Sequence, residues 1–150
     1  MIENDMIEND RVEKPWVYCG AFLDRGTEGE KLYRFVEDRV GIPDGWRTYC
    51  DHLTIIYNDG SENAKRWYGY CRERFGNQVV LTVTGIGISE NAIAVTVTGF
   101  PSNNTIPHIT VSVSPTGKPV MSNYIKEWRE VPAGERITLR ATIDVFLKKH

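Results

Sequence analysis

The segment 79–99, VVLTVTGIGISENAIAVTVTG, contains two runs rich in valine, isoleucine and threonine, at 79–88 and 92–99. Ser89, Glu90 and Asn91 separate the two runs. Valine, isoleucine and threonine favour strands, and a short polar connection between two such runs is typical of a hairpin. The segment therefore predicts an antiparallel β-hairpin, and it indicates that β-structure dominates the fold.

Four further strands are predicted outside the hairpin, from apolar alternation and β-branched content, at residues 16–23, 52–57, 108–114 and 136–147. One helix is predicted to begin with the capping-box spacing of Thr27 and Glu30 and to end at Gly41. A second begins at Ser61, a good N-cap residue, and a short one follows the fifth strand. The predicted class is α+β with largely antiparallel strands.

The chain is expected to be one domain spanning residues 15–150. Residues 1–10 read MIENDMIEND, a tandem copy of five polar-rich residues, so 1–14 are interpreted as a disordered or tag-like leader. The net charge of −2 makes a long nucleic-acid duplex an unexpected partner. No apolar run approaches the roughly 18 residues of a membrane span, so a cytoplasmic protein without membrane contact is expected. The three cysteines show no CxxC spacing and are expected to be free thiols.

Two short motifs repeat the same pattern. His52-Leu-Thr54 and His108-Ile-Thr110 are both His-x-Thr with an aliphatic x, and they use two of the three histidines, the third being the terminal His150. The strand period of two places the histidine and threonine of each motif on one face. By the same alternation Asp51 is expected on the opposite face from His52.

This pattern suits metal-free cleavage of a phosphodiester. One imidazole can deprotonate water while the other protonates the leaving oxygen, since histidine titrates near neutral pH. The threonine hydroxyls can donate hydrogen bonds to the non-bridging phosphate oxygens. A single His-x-Thr is usually structural, but two copies favour function. Cys50 and His52 could pair on a metal, yet further ligands are lacking in the sequence, so neither metal nor cofactor is expected.

The two motifs resemble those of the 2H phosphoesterases, and the resemblance covers most of the chain from Trp16 onward. The stretch from Pro107-His108-Ile-Thr-Val through Lys118-Pro-Val to Ser122-Asn123 is similar to the cyclic phosphodiesterase domain of fungal and plant tRNA ligases. The resemblance implies a bilobed fold, in which two largely antiparallel sheets flank a central groove with helices outside. It also implies that His108 activates water and that His52 protonates the leaving ribose oxygen.

The activity implied by the resemblance is hydrolysis of 2′,3′-cyclic phosphate RNA ends, or of related 2′–5′ or cyclic nucleotide phosphodiesters. The sequence lacks the ligase and kinase domains and a GxxxxGK[ST] loop, so tRNA splicing is not expected. Some stand-alone members of that family, notably viral ones, instead degrade nucleotide signals of host defence. The alternative hypothesis is a binding module that sequesters a nucleotide without turnover.

Five residues outside the motifs are candidates for contacting substrate. Three of them follow the second motif and could contact phosphate or sugar: Lys118, Ser122 and Asn123. Lys118 could instead be an ordinary exposed loop lysine, and Ser122 could instead be a helix N-cap. Tyr57 and Trp46 flank the first motif and could stack on a base, although aromatic residues at such positions are more often part of the core.

Overall fold

All six predicted strands are present in the computed structural model, which describes residues 15–148. The strands are β1 Trp16–Leu23, β2 Arg47–Thr48, β3 His52–Tyr57, β4 Gln78–Ile88, β5 Ala92–Thr98, β6 His108–Val113, β7 Trp128–Glu130 and β8 Thr138–Leu147. The helices are α1 Glu30–Val40 and α2 Glu62–Arg72, with a π-helical turn Arg25–Gly29 and 3₁₀ turns Pro119–Tyr124 and Ala133–Glu135. The predicted leader 1–14 and His150 lie outside the described residues.

Within residues 15–148 the eight strands form one antiparallel sheet, six of whose strands close into a barrel. The barrel order is β6-β3-β1-β8-β4-β5, and β5 pairs back to β6; β2 pairs with β6 and β7 with β4. The α+β class with largely antiparallel strands is thus confirmed, and all eight strands belong to one hydrogen-bonded sheet. Register shifts in β1, β4 and β5 kink these strands, which lets one sheet curve until its edges meet.

The main core fills the inside of the barrel. Leu53, Leu81, Val95, Ile109 and Ile143, from five different barrel strands, are all completely buried there. Both helices contribute to the same core, because their apolar faces turn toward the barrel.

Of the two predicted helix N-caps, one is present in the structure and the other is not. Ser61 caps α2 as predicted, its hydroxyl accepting from the Ala64 amide at 3.1 Å. The first helical segment is instead capped by Asp24, whose carboxylate accepts from the amides of Gly26 and Thr27. The predicted capping box at Thr27 was wrong, because a π-helical turn already begins at Arg25, two residues before Thr27.

The segment after β6 returns across the outer surface of β4 and β5. This is possible because those strands carry small residues there: Ala92 and Ala94 pack against Ile125 in a separate apolar cluster. At Gly87 a side chain is excluded, since a Cβ would lie 2.4 Å from the Trp128 ring. The close approach positions Ser122 and Trp128 beside the second motif.

Two simpler expectations can also be compared with the structure. The three cysteines, Cys19, Cys50 and Cys71, are unbridged as predicted, and all are buried. Among the residues described, no helix combines the length and apolar character that a membrane crossing requires.

Candidate active site

The two His-x-Thr motifs lie on neighbouring strands, facing the same way. Leu53 of β3 pairs with Ile109 of β6, and both are fully buried inside the barrel. The histidines and threonines on either side of them therefore point outward. Leu53 with Ile109 is the register pair that joins the two strands, and His52 and His108 flank this pair at diagonal positions. Diagonal neighbours in a regular antiparallel pair are roughly 7–8 Å apart, a separation that a phosphate group can span.

His52 has a partner on each ring nitrogen. Nδ1 lies 2.8 Å from the Asp51 carboxylate, and Nε2 lies 3.1 Å from the Thr54 hydroxyl. An ionised carboxylate only accepts hydrogen bonds, so Nδ1 carries the hydrogen. The His52 side chain is 23 % exposed, and substrate can therefore approach it.

The position of Asp51 corrects the expectation that it faces away from His52. Strand alternation does not apply to it, because β3 begins at His52 and Cys50 adopts a left-handed backbone with φ of 51°. The main chain at Asp51 is fixed by the Leu23 amide, which donates to its carbonyl at 2.8 Å. This irregular turn aims the carboxylate at the imidazole that follows it.

The pKa of the Asp51 carboxyl is lowered in the folded protein. Burial alone would raise this pKa, but the hydrogen bond from His52, the charge of His52 and the positive charge of Arg25 together outweigh burial. Asp51 is therefore ionised at neutral pH and presents a negative charge to Nδ1.

Aromatic rings flank His52 on the outer face of β1 and β8. The Tyr18 ring stacks on the imidazole with centroids 4.6 Å apart, and Phe22 lies 5.5 Å away. Phe146 stacks on the other side of Tyr18 at 5.2 Å. Gly20, between the first two on the same face, has no space for a side chain, because a Cβ would lie 2.8 Å from the Leu53 carbonyl. The rings hold the imidazole in one orientation.

His108 is held differently. Its Nδ1 lies 2.7 Å from the backbone carbonyl of Ile106, which can only accept, so Nδ1 carries the hydrogen. The carbonyl is in place because the preceding loop is tied to β3: the Ser102 hydroxyl donates to the Thr54 carbonyl and the Asn103 amide to that of Ile55. In the neutral ring Nε2 then has a free lone pair.

A cavity of about 250 Å³ opens beside His108, which is itself 9 % exposed. Its polar lining includes Asn104, Thr105, Ser122 and Asn123. The Ser122 hydroxyl, 1 % exposed, lies 2.9 Å from that of Thr110. This hydrogen bond links Ser122, which lines the cavity, to Thr110 of β6.

The candidate substrate residues separate into two groups. Ser122 and Asn123 line the cavity, whereas Lys118 precedes the 3₁₀ turn and is exposed outside the cavity lining. Tyr57 is 62 % exposed at the far end of β3, and Trp46 packs against the main core. The Leu53–Ile109 pair thus places the two motifs on adjacent strands, and Ser122 and Asn123 share a cavity with His108. Lys118, Tyr57 and Trp46 lie elsewhere.

Sequence reasoning missed several residues of this site. Asp51 was dismissed by alternation, and Asn104, Thr105 and Trp128 belong to segments whose path depends on packing between distant strands. Tyr18 and Phe22 had a usable signal, because their spacing with Gly20 puts three residues of β1 on one face.

A metal pair at Cys50 and His52 is not formed. The Cys50 sulfur lies 3.7 Å from the Val111 carbonyl, away from the outer face, and burial, with a smaller contribution from the Asp51 charge, raises its pKa to about 12. In the part of the chain that the structure describes, no three His, Cys, Asp or Glu side chains are grouped so that they could hold a metal ion.

Fold and site together define an antiparallel barrel with two outward His-x-Thr pairs on adjacent strands. No known protein-family model matches the chain, and no curated protein sequence is significantly similar to it.

Proposed function

We propose that the protein is a metal-independent phosphodiesterase, a hydrolase that uses His52 and His108 as its acid–base pair. The observation that carries the proposal is the pairing of Leu53 with Ile109, which sets both imidazoles and both threonines on one outward face. Pure binding does not need two imidazoles with a gap between them, whereas phosphodiester hydrolysis needs a base and an acid on opposite sides of phosphorus.

Hydroxyl groups supply the remaining requirement, which is to hold the phosphate. Thr54 and Thr110 supply the hydroxyls of the two motifs, and Ser122 adds a third hydroxyl bonded to that of Thr110. Each can donate to a non-bridging oxygen, where negative charge persists through the transition state. Asn123 at the cavity rim is proposed to contact the sugar or base.

The proposed substrates are 2′,3′-cyclic phosphate RNA ends or related 2′–5′ and cyclic nucleotide phosphodiesters, as the resemblance to 2H phosphoesterases implies. We also propose that this chain has the bilobed arrangement of that family. Its support is that β3 and β6 share a single register pair, while the other neighbouring barrel strands pair along most of their length. The motif strands would then belong to two lobes that diverge from this seam.

Two biological roles follow from this chemistry, RNA-end processing and destruction of cyclic nucleotide defence signals. The three unbridged cysteines favour a reducing compartment such as the cytoplasm for either role.

The proposal is tested by turnover in the presence of EDTA. The full chain is incubated with 2′,3′-cyclic mononucleotides, 2′–5′-linked dinucleotides and cyclic di- and trinucleotides, and products are separated by chromatography. We expect hydrolysis of at least one class at a rate unchanged by EDTA, because the groups proposed to act are all side chains. Loss of activity in EDTA with rescue by a divalent ion would contradict the mechanism. Tight binding by calorimetry without any turnover would favour the sequestering module instead.

A further inference from the structure

The two histidines of the site differ in what holds Nδ1. In His52, Nδ1 lies 2.8 Å from the Asp51 carboxylate. In His108, Nδ1 lies 2.7 Å from the peptide carbonyl of Ile106. From this difference, and resting on the proposed function, we infer that Asp51 is a positioning residue that makes His52 the proton donor and thereby fixes the direction of proton transfer.

A carboxylate and a carbonyl stabilise different states of an imidazole. Both accept the hydrogen of Nδ1, but the carboxylate adds a full negative charge, which favours the cationic ring. A cationic His52 carries a hydrogen on Nε2 as well, directed at the Thr54 hydroxyl 3.1 Å away, which is itself a proposed phosphate contact. The Ile106 carbonyl carries a dipole and no net charge, so it favours the cationic form of His108 less than a carboxylate would. The Nε2 of His108 can then be unprotonated and accept a proton.

The other groups around the Asp51–His52 pair leave this charge pattern in place. Tyr18 packs on the imidazole from β1, and its pKa is raised to about 12 by burial and then by the Asp51 charge, so it is neutral. Cys50 precedes Asp51 and is likewise a neutral thiol. Arg25, in the turn before α1, acts on Asp51 with a positive charge and helps to keep it ionised.

The proposed hydrolysis needs only water besides the substrate. Nε2 of His108 takes a proton from water as the water oxygen forms a bond to phosphorus. The bond from phosphorus to the leaving ribose oxygen breaks, and that oxygen receives the Nε2 hydrogen of His52. His108 ends as the cation and His52 as the neutral ring, and exchange with solvent restores both.

The first experiment compares two leaving groups in the Asp51→Asn variant. One substrate is a nucleoside 2′,3′-cyclic phosphate, whose ribose oxygen must be protonated; the other is a nucleoside p-nitrophenyl phosphate, whose leaving group needs no proton. We expect kcat to fall roughly ten- to a hundredfold on the first substrate and less than about threefold on the second, since a hydrogen bond to a charged group has about that effect. The alkaline limb of the pH–rate profile should also move to lower pH.

Equal losses on both substrates, with an unmoved alkaline limb, would overturn the inference and assign Asp51 a structural role. Asp59→Asn serves as the matched control, because Asp59 is a fully exposed aspartate whose pKa is also lowered, mainly by the Ser61 hydroxyl and amide. It should match the wild type on both substrates. Circular dichroism and thermal unfolding confirm that each variant is folded.

A second measurement does not depend on turnover. The chain has three histidines, so ¹⁵N-labelled imidazoles can be assigned by comparing His52→Ala and His108→Ala with the wild type. We expect the Nδ1 resonance of His52 to be that of a protonated nitrogen bonded to a carboxylate and to move in Asp51→Asn, while the resonances of His108 stay in place. An unmoved His52 resonance in Asp51→Asn would overturn the inference. Should the wild type hydrolyse none of the phosphodiester classes named under the proposed function, that function fails, while the ¹⁵N spectra still decide what Asp51 does to His52.

Discussion

The surroundings of His52 and His108 can be compared position by position, because each lies at the start of its strand with a threonine two residues later. His52 is 23 % exposed in its side chain, bonded to a carboxylate and stacked against aromatic rings. His108 is more deeply buried, bonded to a backbone carbonyl and open to a polar cavity. In both places the motif positions an imidazole, while residues outside the motif determine which group that imidazole is bonded to.

The largest expected effect comes from removing either imidazole. His52→Ala and His108→Ala should each lower kcat by about 10²–10⁴ on a cyclic phosphate, the usual contribution of a positioned acid or base. On a p-nitrophenyl ester only His108→Ala should remain strongly impaired, because the base is still needed there. His150→Ala is the control, since that histidine belongs to neither motif. A folded double variant with the wild-type rate would end the two-histidine hypothesis.

A smaller effect should separate the two threonines. Thr54→Val and Thr110→Val keep the β-branched shape and should each reduce kcat about tenfold through loss of one hydrogen bond to phosphate. Only Thr110→Val should also destabilise the fold, by about 1–3 kcal/mol, because it leaves the buried Ser122 hydroxyl without its partner.

Urea denaturation can test whether the Thr110 and Ser122 hydroxyls stabilise the fold as a bonded pair. Adding Ser122→Ala to Thr110→Val should return part of the lost stability, since both polar partners are then removed. Equal stability of the Thr54 and Thr110 variants would contradict the difference drawn between the two motifs.

The smallest effect concerns stability and pH. The folded pKa of Asp51 lies below its ordinary value of 3.8, so its carboxylate stabilises the fold above that pH, and the contribution is lost as pH falls through the folded pKa. The difference in Tm between the wild type and Asp51→Asn should therefore be larger at pH 6 than at pH 3. Asp59→Asn should show the same sign with a smaller difference, because Asp59 is fully exposed. A Tm difference for Asp51→Asn that is constant with pH would show that its charge does not act on stability.

Local pattern was enough to predict the hairpin of β4 and β5, the two motif strands and the α+β class, because strand alternation and turn composition are properties of neighbouring residues. Closure of the barrel depends on β5 pairing with β6 and on register shifts within strands, which no local pattern encodes. Asp51 was missed for a related reason. The rule that assigned it to the opposite face holds within a strand, and it lies one residue before β3 begins.

The Ile106 carbonyl that holds His108 belongs to the peptide backbone, so every residue type at position 106 would present the same acceptor. The Asp51 carboxylate is a side chain, and one codon change removes it. Over evolutionary time the two halves of the site are thus unequally open to variation: the acceptor for the proposed base is inherited with the path of the chain, whereas the acceptor for the proposed acid can be changed by substitution at a single position.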